Sequence, residues 1–176
     1  MNQIGKIIDY PFYVLDKETA EKFAGEIAGL ADQIPLVNYS EKEILAESKG
    51  ERIFYGKWEH SLIVFDGNRP IAVIIGYERE AEDNSQYPEN SLYISELAVH
   101  EKYQRQGIAR KLLKIFLRHN NGMLHLKGPM IYSVQTNFAD WNNHVRKLYE
   151  SFGFKKITTK EYENRTDVVL RLKSQN

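Results

Sequence analysis

No cysteine occurs among the 176 residues. Its absence excludes a disulfide scaffold, a thiolate metal site and a cysteine nucleophile. An excess of charge of one sign is missing too: 24 Lys and Arg balance 24 Asp and Glu, for a formal net charge of zero. A whole-molecule field that draws in nucleic acid or an anionic membrane is thereby excluded, while a local patch is not. Long hydrophobic runs are absent. The longest aliphatic stretch, Ile71 to Ile75, is far short of a membrane span. The first ten residues lack the basic start and apolar core of a secretory signal. No internal repeat or low-complexity linker interrupts the chain. The expectation is one domain over residues 1–176, cytoplasmic, without a membrane or nucleic-acid partner. The 42% hydrophobic and 12% aromatic content supplies a globular core.

Periodicity orders the chain. After a strand-like opening, Asp16 is the N-cap of a helix to about Ala31, with Ala20, Phe23, Ala24, Ile27 and Leu30 on one face. Ser40 and Glu43 form a capping box for a second helix to about Lys49. Ser61–Phe65 and Pro70–Tyr77 flank Asp66-Gly67-Asn68 as a hairpin. Leu92–Val99 is a strand and Gly107–His119 a helix with Ile108, Leu112, Ile115 and Phe116 at helical spacing. A strand at Ile131–Thr136 follows. The next helix carries Trp141, Val145, Leu148, Tyr149 and Phe152 on one face and ends at Gly153. Phe154–Thr159 and Asp167–Leu172 close the chain as an antiparallel pair. The order predicts an α+β fold. Its sheet is mixed, mostly antiparallel and twisted, with flanking helices and one right-handed parallel crossover joining the strands at Leu92 and Ile131.

The segment after Val99 is the most informative. A strand enters a turn, Gln104-Arg105-Gln106-Gly107-Ile108-Ala109-Arg110, and the turn opens a helix. A helix start presents unpaired backbone N–H groups and the positive end of the dipole. Gly107 permits close backbone approach, Ala109 does not block it, and Gln104, Arg105 and Arg110 add donors and charge. This describes a pyrophosphate cradle. A solvated helix start with basic residues on its outer face has the same look. The Walker motif is excluded, because Gly107 is followed by Ile-Ala, and so is the dinucleotide fingerprint with its three glycines.

Gln104-Arg105-Gln106-Gly107-Ile108-Ala109 resembles the Gln/Arg-x-x-Gly-x-Gly/Ala pattern of the GNAT superfamily of N-acyltransferases. Residues Asn142 to Phe154 resemble the family's second motif, Asn-x-x-Ala-x-x-Leu-Tyr-x-x-x-Gly-Phe, with Val145 at its alanine. The likeness is tight over Leu92 to Phe154 and looser over Ser61 to Leu172. It implies a GNAT-like sheet with a central splayed parallel pair. It also implies acetyl-CoA as acyl-donor cosubstrate, no metal, and direct transfer to a primary amine in a ternary complex. The acceptor would be a small molecule or a peptide or protein amine. A non-catalytic CoA-binding or regulatory module of the same fold is the alternative. Residues 61–172 would form the sheet and cofactor core. Residues 1–60 would wall the acceptor site, with Tyr39, Phe54, Tyr55 and Trp58 as contributors or core.

By the same resemblance, Leu97, Ala98 and Val99 meet the pantetheine arm, and residues Gln104 to Arg110, Asn142 and Tyr149 complete the cofactor site. The N–H of Val99 faces the developing oxyanion. An amine of pKa near 10.4 is neutral in only about one part in a thousand at pH 7, so a base helps. Glu96, an acid within an apolar strand, is the candidate; a salt-bridge partner is the bland reading. Tyr149 is the candidate proton donor to the leaving thiolate, or a core aromatic, or both. His100, His119, His125 and His144 show no metal-ligand spacing, and His60 is read as structural. The acidic loop Glu78–Asn90 could attract a cationic acceptor but is read as solvated, and the first half of the basic run Lys102–Lys127 is read as serving phosphate. An exposed edge at the closing hairpin is compatible with a homodimer.

Overall fold

The computed structural model describes residues 3–33, 40–81, 89–121 and 133–173. Its strands are β1 (Gln3–Ile7), β2 (Tyr10–Val14), β3 (Ser48–Lys49), β4 (Arg52–Ile53), β5 (Leu62–Asp66), β6 (Arg69–Arg79), β7 (Ser91–Val99), β8 (Ser133–Ala139), β9 (Lys155–Tyr162) and β10 (Arg165–Lys173). Its helices are α1 (Lys17–Lys22), α2 (Ala24–Ala31), α3 (Glu41–Leu45), α4 (Lys57–His60), α5 (Ile108–Asn120) and α6 (Asn143–Glu150). Eight strands form one sheet in the order β1-β2-β5-β6-β7-β8-β10-β9, and β3 and β4 pair separately. Only β7 and β8 run parallel, joined through α5; the other pairs in the sheet are antiparallel. The mixed sheet with a parallel pair expected from the element order is what the chain forms.

The central strand β6 is buried from Pro70 to Arg79 because both of its faces are covered. Ala72 and Ile74 pack with Leu112, Phe116 and Phe154 on the α5–α6 side. Val73 and Ile75 pack with Phe23, Ile27 and Ile44 on the α1–α3 side. α5 lies so close to the sheet that a Cβ on Gly76 would sit 2.6 Å from the Phe116 ring. Any side chain at that position would have to displace this buried ring.

Several boundaries differ from expectation, four of them with a clear cause. The first helix breaks at Phe23 (φ −115°, ψ 21°), whose ring seats against Phe65 at 5.1 Å, although all five expected core residues are buried. The second helix keeps its Ser40–Glu43 capping box but stops at Leu45 rather than Lys49. Its terminal carbonyls, Ile44 and Ala46, accept from the Lys57 ammonium at 2.6 and 2.5 Å, and Ser48–Lys49 turns into a hairpin strand. β8 runs to Ala139, three residues past Thr136, paired along its length with β10. Trp141 stays outside α6 and exposed, because Asn142 caps the helix by accepting from the Val145 N–H at 3.2 Å. Tyr39, His125 and most of the acidic loop lie outside the described residues.

Candidate active site

The sheet is opened at its centre. β7 and β8 pair from Ser91↔Ser133 to Ile94↔Thr136 and no further. Beyond that point β7 continues against β6 alone and β8 against β10 alone. The His100 N–H donates to the Ile71 carbonyl at 2.8 Å. By the alternation of an antiparallel ladder, Ala98 and Glu96 direct their backbone groups at β6, and Leu97 and Val99 turn theirs into the gap left by β8. The Val99 carbonyl accepts from the Gln104 side chain at 3.0 Å.

A β-bulge sets the side chains. Ile75 pairs with Glu96 and Gly76 with Ile94, so Ser95 has no opposite number. The extra residue reverses the alternation. Ile94 and Leu97 pack in the α5–α6 core, while Ala98 packs in the α1–α3 core. Glu96, of Ala98's parity, therefore faces the α3 side, where it is 5% exposed. The bulge was not legible in the sequence, whose apolar run reads as plain alternation.

Two cavities meet here. One, of about 780 Å³, lies on the α3 side and is lined by α3, β4, Phe54, Lys57, Tyr77 and the β9–β10 hairpin. The other, of about 190 Å³, lies between the splayed strands and α6, lined by Leu97, Ala109, Asn142, Val145, Leu148 and Tyr149. Tyr93, Ser95, Glu96, Asn137 and Arg165 line both. Of the amino-terminal helices expected at the acceptor side, α3 lines the larger cavity, and α1 and α2 pack into the core. Phe54 lines it, stacked on Tyr77 at 4.3 Å; Trp58 instead donates to Glu47 at 2.7 Å, and Tyr55 bridges to Glu78.

Tyr149 is buried, its ring between Phe138 and Phe154 at 5.9 and 5.1 Å. Its hydroxyl bonds to Thr136. Thr136 also donates to the Ile94 carbonyl at 3.1 Å, so this pair of side chains reaches the last paired residues of β7 and β8. Burial raises the phenol above its ordinary value, and the nearby Glu96 charge raises it further. It therefore stays protonated through the physiological range. Packing and a proton-bearing hydroxyl coexist.

Sequence reasoning passed over Lys57, Asn137, Arg165 and Asp167. Asp167 is fully buried; it accepts from Asn137 at 2.5 Å and pairs with Arg165 at 2.9 Å, and Tyr93 donates to Asn137. This network holds the floor of the gap. Lys57, 5% exposed, lies over Trp58 at 4.8 Å. Burial pulls its ammonium down to about 8, against the opposing charges of Glu47 and Glu96. Below the folded value both states are protonated; above it the unfolded chain alone keeps the proton until about 10.5. Stability relative to Lys57→Met is thus expected to rise between pH 8 and 10.5, by about 1.4 kcal/mol per unit at most. Urea denaturation of both proteins across that range measures it, and a flat difference contradicts it. His60, buried between Asn120 at 2.6 Å and Glu78 at 3.1 Å, is structural.

The proposed phosphate turn is exposed and open. Arg105 and Gly107 both take positive φ (62° and 82°), and a Cβ on Gly107 would meet nothing within 4 Å. Gly107 precedes α5, whose first turn carries no acid. Left-handed residues interspersed with others just before a helix form a concave set of N–H donors that suits phosphate. The side chains of Gln104 and Gln106 donate to the Val99 and Lys102 carbonyls, so they shape the turn and leave its backbone to face a ligand. Arg110 reaches Ser151 at 2.9 Å, and Arg105 lies 3.5 Å from His144. Buried Ile108 anchors the helix start. No group of three potential metal ligands occurs among the described residues. No helix among them is long and apolar enough to cross a membrane.

The chain is similar to proteins of known kind. A Bos taurus protein named thialysine N-epsilon-acetyltransferase is 24% identical over 138 residues, spanning 77% of this chain and 75% of that one. A chain in the crystal structure of the NatC complex bound to Gag peptide and CoA superposes with a TM-score of 0.71 at 23% identity, over 93% of this chain and 98% of that one. Ard1 from Thermoplasma volcanium superposes with a TM-score of 0.70 at 15% identity, over 94% and 97%. These structures share the fold. The family model described as Acetyltransferase (GNAT) domain matches residues 57–156, more than half of the chain, and takes in the bulged strand, the open turn and α6. The chain belongs to the GNAT superfamily of N-acetyltransferases.

Proposed function

We propose that this protein moves the acetyl group of acetyl-CoA to a primary amine by direct attack within a ternary complex. The observation that carries this is the end of β7–β8 pairing at Ile94↔Thr136. It turns the backbone of Leu97 and Val99 into a gap flanked by Tyr149, with Glu96 at the junction of two cavities. The donor supplies a thioester carbonyl and a thiol leaving group. The Arg105–Arg110 turn and the start of α5 hold its phosphates. Leu97 and Val99 pair with the amides of its extended arm as a strand would. Ala98, of the opposite parity, keeps β7 on β6.

The amine enters from the α3 side, walled by α3, the β3–β4 hairpin and Phe54. Glu96 takes its proton, directly or through water. The N–H of Val99 faces the charge that develops on the carbonyl oxygen. As the N–C bond forms and the C–S bond breaks, Tyr149 gives its proton to the sulfur and regains one from solvent. Asn142 caps α6 and so holds Tyr149 in place. With no cysteine in the chain, a thioester acyl-enzyme is excluded and direct transfer is favoured.

Release of CoA thiol from acetyl-CoA across a panel of amines tests this. Amine-dependent release supports transfer. Cofactor binding that no amine converts into release would leave a CoA-binding module instead. Gly107→Val is expected to raise the CoA dissociation constant about tenfold or more, because a β-branched residue resists positive φ and its methyls fill the phosphate space. Unchanged affinity by calorimetry would place the cradle elsewhere.

A further inference from the structure

We infer that the acceptor is a primary amine carrying carboxylates on the same molecule, as an acidic amino-terminal peptide does. The inference rests on the acetyl-transfer reading only for naming the larger cavity as the acceptor side. The protein as a whole is neutral, but this cavity is not: among the described residues, seven Lys and Arg line it against two carboxylates. One rim carries Lys42, Lys49 and Arg52 from α3 and the β3–β4 hairpin. The other carries Lys160 and Arg165 from the β9–β10 hairpin. Arg165 is balanced by buried Asp167, and Lys57 and Arg79 are themselves buried, which leaves Lys42, Lys49, Arg52 and Lys160 on the rims against the two acids.

The two acids offset only part of this charge, Glu43 acting on Lys49. Glu43 is held by the Ser40 N–H at 2.8 Å as the α3 capping box. Glu96 sits at the far end, where the two cavities join. Charge therefore has a direction: one carboxylate at the reacting end and a ring of cations toward the mouth. A lysine-rich tail or a polyamine would meet repulsion along the whole entry. An amine with carboxylates behind it places its nitrogen at Glu96 and its acids among the rim cations. The same field disfavours an ammonium and so helps the bound amine lose its proton. The volume of about 780 Å³ suits several residues of a peptide better than one free amino acid.

The test compares three peptides that differ only after the first residue, bearing glutamates, alanines or lysines, with free glutamate as the small-molecule arm. CoA-loaded protein is used for calorimetric binding, and thiol release is read beside it. The acidic peptide is expected to bind and react about tenfold or more better than the lysine peptide, with the advantage shrinking as salt rises. In the double variant Lys49→Glu with Lys160→Glu, the acidic-over-basic ratio is expected to fall at least about tenfold. The salt series on the unaltered protein stands if that variant misfolds. Preference for glutamate over the acidic peptide keeps the charge rule and makes the source a small molecule. Equal binding of all three peptides, or preference for lysines, overturns the inference while leaving acetyl transfer intact. Acidic preference in binding without thiol release from any amine keeps an acidic ligand for the cavity and overturns the transfer reading, and with it the ligand's role as acceptor.

Discussion

Glu96→Gln is expected to lower kcat/KM about a hundredfold or more at neutral pH, because an amide of the same shape cannot take a proton from the amine. The residue is buried within the sheet, and the bulge at Ser95 points it at the α3-side cavity. Its charge is felt by Lys57 on one side and by Tyr149 on the other. Two consequences separate a base from a structural acid. CoA affinity should change little, since the phosphate turn lies at the other end of the gap. Activity should be regained as pH rises and the free amine becomes more abundant in solution, narrowing the deficit against the unaltered protein. A deficit constant across the pH range would make Glu96 a positioning group. Full activity at neutral pH would remove it from the chemistry.

Tyr149→Phe carries the second large effect, expected as a loss of about tenfold to a hundredfold in kcat with CoA affinity nearly unchanged. The substitution keeps the ring between Phe138 and Phe154 and removes only the hydroxyl bonded to Thr136. The lost hydrogen bond should cost about 1 kcal/mol of stability, too little to unfold the domain. If protonation of sulfur limits the reaction, an acyl donor with a more acidic thiol should be less affected by the change. Equal loss with both donors, or no loss at all, would reduce Tyr149 to packing.

The elements most legible in the sequence are those fixed locally. Asp16 and Ser40 cap helices as their side chains require, Gly67 turns the β5–β6 hairpin, and Gly153 ends the α6 segment at φ 90°. The parallel crossover follows from strand–helix–strand order. What was not legible depends on tertiary contact. The end of α3 is set by a lysine twelve residues on, which reaches the Ile44 and Ala46 carbonyls. The length of β8 is set by β10, a pairing no local pattern announces. The bulge at Ser95 leaves no turn residue as a marker, yet it decides which face Glu96 takes.

The site divides in the same way. Glu96, Tyr149 and the turn at Gly107 stood out because their types or motifs are unusual for their positions. Lys57, Asn137 and Arg165 did not, since single polar residues outside any motif read as solvated surface. The larger cavity's cationic lining comes from three separate stretches of a chain whose net charge is zero. Only folding gathers them.

The central claim is that the donor's arm lies in the gap between β7 and β8. Residue-resolved amide hydrogen exchange, with and without CoA, tests it most directly. Leu97 and Val99 face the gap and should gain protection on binding, together with the turn from Arg105 to Arg110. Ala98, already bonded toward β6, should not. Protection confined to the α3-side cavity, or none at Leu97 and Val99, would contradict the account.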